Sequence, residues 1–193
     1  MDIETFINIF TLVVTLAGLL ISLFKYIDSP KRGWLYITFF FLADILSEYY
    51  WTAYTLIIKE DPDVSALLAY FGWNIAYLIL AYASVKLKPA DCKRFFHPLI
   101  LLPIPVNAIQ FFIYIRYGGL FNNLWQCTLS TVIACVCMQV ILHYIKEKKN
   151  GAHFPYFHTA ALFYIFTQYG SWTSSCFDFG HGALLQSVLG TPC

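Results

Sequence analysis

Long apolar stretches alternate with short charged turns along the whole chain. Residues 5–24 carry no charge, and Lys25, Asp28, Pro30, Lys31 and Arg32 close them with a polar turn. Residues 33–58 follow without a basic side chain. The acidic turn at 59–63 ends that stretch, with Pro62 placed to stop a helix. A third run covers 64–85 and leads into the basic turn KLKPADCKR. The fourth, 95–115, holds Pro98, Pro103 and Pro105; the last two are expected to kink it, because each removes a backbone donor. The fifth run covers 120–145, the basic turn KEKKNG follows, and the sixth run covers 154–177.

About 20 apolar residues cross a bilayer core, so the pattern predicts six full transmembrane helices at 5–24, 33–58, 64–85, 95–115, 120–145 and 154–177. Beyond a DFGHG turn, residues 183–193 are apolar but long enough for only about half a crossing at ~1.5 Å per residue. They read as a partial seventh helix, which makes the chain a fragment or a truncated product. The fold class is all-α, a polytopic membrane helix bundle forming one domain over 1–193.

Composition agrees with lipid as the solvent. The chain is 59% hydrophobic and 12% charged, and a soluble domain has about 25% charged residues. A net charge of +1 gives no general attraction to nucleic acid. Cys92, Cys127, Cys135, Cys137, Cys176 and Cys193 form no CxxC or Cys/His ligand pattern and read as small apolar packing residues. The N-terminus is acidic and has no basic region, so no cleaved signal peptide is expected.

Loop charge sets the orientation. Lys25, Lys31, Arg32, Lys86, Lys88, Lys93, Arg94, Lys146, Lys148 and Lys149 fall on one side, and Lys59 and Arg116 on the other. The chain is therefore expected in the cell membrane as a multi-pass protein with its N-terminus outside.

Polar side chains then gather between the midplane and the outer surface. Asp44 and Glu48 stand four residues apart on the second helix, on one face that Trp51 continues. Acids inside a membrane usually face a bundle interior or a watery cavity. With them the predicted pocket takes Tyr54, Tyr70, Trp73, Asn74, Asn107, Gln110, Gln126, Gln168 and Trp172. Aromatic walls over an acidic floor suit a small cationic or amine ligand. The competing reading of the amides is interhelical hydrogen bonding. His143 reads as an interfacial residue beside Lys146, and His158 as a satisfied helix polar group. No spacing among Asp44, Glu48, His158 and Asp178 supports a metal site, so no catalytic residue, metal or cofactor is expected. EYYWT at 48–52 and QYGSWT at 168–173 form a short echo, which would fit a three-plus-one-plus-three arrangement of helices.

The strings SEYYWTAYTL, DPDVSALLAYFGWNIAYL and FTQYGSWTSSCFDFGHG resemble the N-terminal membrane regions of bacterial signalling proteins. In that family a bundle of about seven helices precedes a cytoplasmic histidine kinase or GGDEF-type diguanylate cyclase. The resemblance implies a sensory module that binds a ligand from the outer side and relays a helix shift inward, partnered by a second copy or by a cytoplasmic signalling protein. The chain holds no phosphoacceptor helix, no ATP-binding glycine boxes and no GGDEF signature, so any output domain lies elsewhere. The alternative expectation is a small transporter with a midplane acidic site at Asp44.

Overall fold

Residues 3–58, 67–115, 120–148 and 153–176 are described by a computed structural model. They form six α-helices with no strand among them. The helices are α1 (Ile3–Asp28), α2 (Arg32–Ile58), α3 (Leu67–Lys86), α4 (Pro103–Tyr114), α5 (Leu120–Glu147) and α6 (Tyr156–Cys176). The acidic turn at 59–63, the DFGHG turn and the expected partial helix at 183–193 lie outside the described residues.

Five helices match the apolar runs closely, and the fourth needs correcting. Residues 95–115 do not form one kinked helix. A short 3-10 turn at Pro98–Leu101 comes first, and α4 then begins at Pro103 and is only 12 residues long. Proline is tolerated in the first turn of a helix, where its missing N–H has no intrahelical acceptor. Pro98 and Pro103 thus start helical segments and do not bend one. His97 is extended (φ −145°, ψ 139°), as a residue before proline prefers, and its Nδ1 accepts the Leu99 N–H at 3.3 Å.

The helices group as two compact units, Met1–Ala90 and Asp91–Cys193. α4 packs on α5 and α6 inside the second unit.

In the first unit α2 packs against both α1 and α3. The seam between α2 and α3 is built from small residues. Ala69, Ala76 and Ala83 recur every seven positions on α3 and are almost fully buried. Gly72 sits under Ala43 and Ser47 of α2. A Cβ added there would collide with Ser47 Oγ and stand 3.1 Å from the Ala43 carbonyl oxygen. Ala43 and Ser47 are one helical turn apart, so this is a small-xxx-small crossing that lets two backbones approach closely.

In the second unit the seam of α5 runs through Gln126, Ser130, Ile133, Cys137 and Val140, steps of three and four residues that keep one face toward its neighbours. Ala161 and Ile165 face inward from α6. Gln139 clamps the preceding loop by donating to the Cys92 and Phe95 carbonyls at 3.2 and 2.5 Å.

On α1 and part of α2 the polarity is inverted relative to a water-soluble fold. On α1 the buried side chains are Thr15 and Ser22, while Phe10, Ile21, Phe24 and Ile27 are turned outward. On α2 the buried set includes Thr38, Asp44, Ser47 and Thr52, and Phe39, Leu42, Leu46 and Ile57 are exposed. Phe6–Asp28, Leu68–Lys86 and Leu120–Glu147 are long and apolar enough to cross a membrane. α2 and α6 have the length, at 27 and 21 residues, but are not among these apolar spans.

Candidate functional site

The first unit brings four of the expected residues into direct contact. Glu48 lies on α2, half-buried, and its Oε1 accepts the Trp73 indole N–H from α3 at 2.9 Å. Trp51 stands three residues further along α2, on the same face. Its ring lies 5.6 Å from that of Trp73 and 6.4 Å from that of Tyr70, and Tyr70 is in turn 5.6 Å from Trp73. Three aromatic rings therefore meet beside one carboxylate. The helical periods place them: Trp51 follows Glu48 by three positions, and Trp73 follows Tyr70 by three.

Asp44 is one turn from Glu48 and 8% exposed, and it takes a hydrogen bond from the Thr15 hydroxyl of α1. An ionisable group this deep among apolar helices is costly unless a partner satisfies it. Thr15 belongs to a polar line on α1, Asn8–Thr15–Ser22, spaced by sevens. The Asn8 carbonyl accepts from Thr52 of α2 at 3.5 Å. The Asn8 amide nitrogen is buried with no hydrogen-bond partner among the described residues. The sequence reading gave α1 no part in the site. The regular spacing of Asn8, Thr15 and Ser22 in an otherwise apolar run was the signal that could have found it.

Tyr54 lies further along α2, its ring 6.2 Å from that of Tyr50. Asn74 follows Trp73 on α3 and is half-buried.

Asn107, Gln110, Gln126, Gln168 and Trp172 belong to the second unit, so the expected residues fall into two groups. Around Tyr169 of α6 the second group forms a hydrogen-bond network without charges. The Tyr169 hydroxyl donates to Asn107 Oδ1 on α4 and bonds Ser130 on α5. Asn107 donates its amide N–H to the Pro103 carbonyl at 2.8 Å. Tyr114 O–H reaches Thr173 Oγ1 at 3.1 Å and the Tyr169 carbonyl at 3.3 Å. Thr173 donates to Gln110 Oε1 at 3.5 Å, and Asn123 donates to the Tyr114 carbonyl at 2.9 Å. Gln126 is 8% exposed, and its Nε2 is without a partner among the described residues. Gln168 is half-buried on α6 and engaged in bonding; Trp172 lies on α6 with its side chain outside the described part. Tyr169 and Ser130, which tie the three helices together, were not among the expected residues.

His143 stacks edge-on against Phe95 with ring centroids 5.3 Å apart, and His158 is buried on α6. Cys92, Cys127, Cys135 and Cys137 form no disulfide among the described residues. Among the described residues no three His, Cys, Asp or Glu side chains gather as a metal site. The first unit thus brings together a carboxylate held by an indole, a second buried carboxyl one turn away, and three aromatic rings. No protein-family model, curated protein or solved structure matches the chain.

Proposed function

We propose that this chain is a multi-pass protein of the cell membrane, N-terminus outside, whose first unit binds a small organic cation. In this reading all six helical segments cross the bilayer. α2 and α6 cross despite their polar residues, because those of α2 are turned toward α1 and α3. The fourth crossing is Pro98–Tyr114, a 3-10 turn followed by α4, with a combined rise of about 26 Å. The inverted burial pattern supports the bilayer placement, since lipid makes outward Phe, Leu and Ile favourable and inward Ser and Thr useful between helices.

The observation that carries the ligand class is Glu48 held by Trp73 beside Trp51 and Tyr70. A carboxylate attracts a cation, and tryptophan and tyrosine faces add about 0.5–2 kcal/mol each when desolvated. Binding is read out as a sensory module would do it. α2 touches both neighbours in its unit, so a ligand that prefers one α2 position shifts the helix and passes that shift to a cytoplasmic signalling partner or a second copy of the chain.

A titration tests the ligand class. The protein in lipid nanodiscs is titrated with choline and with 3,3-dimethyl-1-butanol, its uncharged isostere, following tryptophan fluorescence. Choline should bind at least tenfold more tightly. Equal affinities would show that the site reads shape alone, and the cation assignment would fall.

A second reading, a small transporter, is favoured by the division into two units of three helices, since transporters are commonly built from repeats. Uptake of a cation into proteoliposomes that disappears in Asp44→Asn would select it. Uptake no greater than in empty liposomes would leave the sensory reading.

A further inference from the structure

One end of the second unit combines a basic cluster with the outward-facing start of the fourth apolar segment. Gln139 holds residues 92–95 against the last third of α5, and the Cys92 thiol returns a bond to the Gln139 carbonyl at 3.6 Å. That clamp brings Lys93 and Arg94 to the same end as Lys146 and Lys148, and all four side chains are exposed. Lys146 Nζ lies 5.6 Å above the Phe95 ring, which fixes its stem beside this turn. Asp91 and Glu147 are the acidic side chains in the same two segments, so four cations face two anions.

Directly after the cluster the chain turns its apolar side chains outward. Cys92 and Ile100 are buried and anchor the segment, while Phe96, Leu99, Leu101 and Leu102 are 47–67% exposed. Phe154 and Tyr156 are exposed nearby: the Phe154 ring lies 5.4 Å from Tyr144 near the end of α5, and that of Tyr156 lies 4.8 Å from Phe154. Outward aliphatic and aromatic groups beside lysine and arginine match the boundary between acyl chains and headgroups.

We infer that this end of the second unit is a binding site for an anionic phospholipid. Lys93, Arg94 and Lys146 engage the phosphate-bearing headgroup, and Phe96, Leu99 and Leu102 lie along its acyl chains. Charge complementarity selects the headgroup, and the apolar segment distinguishes a lipid from a soluble anion. The inference rests on the membrane placement proposed above but not on the cation site of the first unit.

Native mass spectrometry of the full chain in detergent tests it, with phosphatidylglycerol and phosphatidylcholine as probes. Wild type should retain phosphatidylglycerol about tenfold more strongly than phosphatidylcholine. The variant K93Q/R94Q/K146Q should reduce that preference to near unity, and K93R/K146R should keep it. Excess inorganic phosphate should not displace the lipid. Equal retention of the two lipids by wild type, or a preference that survives the glutamine variant, would overturn the inference. Displacement by phosphate would do so as well, because the site would then be one for a soluble anion. Carbonate washing of membranes separates this result from the placement itself. A chain that stays in the membrane but shows no lipid preference loses only the lipid site, whereas a chain released by carbonate loses both.

Discussion

The Trp73 indole of α3 donates its N–H to the Glu48 carboxylate of α2 at 2.9 Å. This bond joins the two helices where the Trp51 and Tyr70 rings meet that of Trp73. Hydrogen bonds to charged groups contribute about 1.5–3 kcal/mol. A double-mutant cycle with Glu48→Ala and Trp73→Phe should therefore give a coupling of about 1–2 kcal/mol in thermal or denaturant unfolding in detergent. A coupling near zero would mean that the two side chains are neighbours without an energetic link.

Gly72 lies where α2 and α3 approach closely. Gly72→Val places a branched side chain against Ser47 Oγ and the Ala43 carbonyl, and overpacking of this kind costs about 1–3 kcal/mol. The variant should unfold at a lower temperature than wild type. Gly72→Ala should lose less, and Ser47→Gly should recover part of the loss, because the two sites share one contact. A Gly72→Val protein as stable as wild type would contradict the close crossing.

Tyr169 does for the second unit what Glu48 and Trp73 do for the first. Tyr169→Phe removes the hydroxyl that Asn107 and Ser130 share and leaves two buried polar groups short of a partner. The expected cost is about 1–3 kcal/mol of stability. Asn107→Ala added to Tyr169→Phe should cost less than the sum of the single changes. Strict additivity would argue against a shared network.

The apolar runs made five helices legible, because largely apolar stretches of twenty or more residues between charged turns leave little choice of element. The fourth was misjudged at Pro103: sequence alone does not say whether a proline sits inside a helix or opens one, and here it opens α4. Asp44, Glu48, Trp51, Tyr70 and Trp73 were legible as neighbours, since acids in an apolar run stand out and helical spacing puts them on shared faces. Thr15 was hidden because one hydroxyl does not disturb an apolar pattern, and Tyr169 because one tyrosine among 14 carries no local mark. The grouping of α4 with α5 and α6 depends on contacts between helices distant in sequence, which periodicity does not encode.

The proposed orientation predicts the outcome of reporter fusions. Alkaline phosphatase joined after Ile58 should be active, because that end of α2 is placed outside. Joined after Lys148 it should be inactive, while a fluorescent protein at the same position should fold and glow. The reverse pattern would invert the topology and move Glu48 to the cytoplasmic half.

The most direct measurement is the affinity of choline for wild type and for Glu48→Gln in nanodiscs, by isothermal titration calorimetry. Glu48→Gln keeps the shape of the side chain and its acceptor for Trp73 while removing the charge. Trp51→Ala serves as the second variant and removes one ring of the three. Saturable binding to wild type, weakened at least tenfold in Glu48→Gln and measurably in Trp51→Ala, is the result expected of a cation site built on this acid. Binding that is unchanged in Glu48→Gln, or no saturable binding to wild type by any organic ammonium, would contradict it.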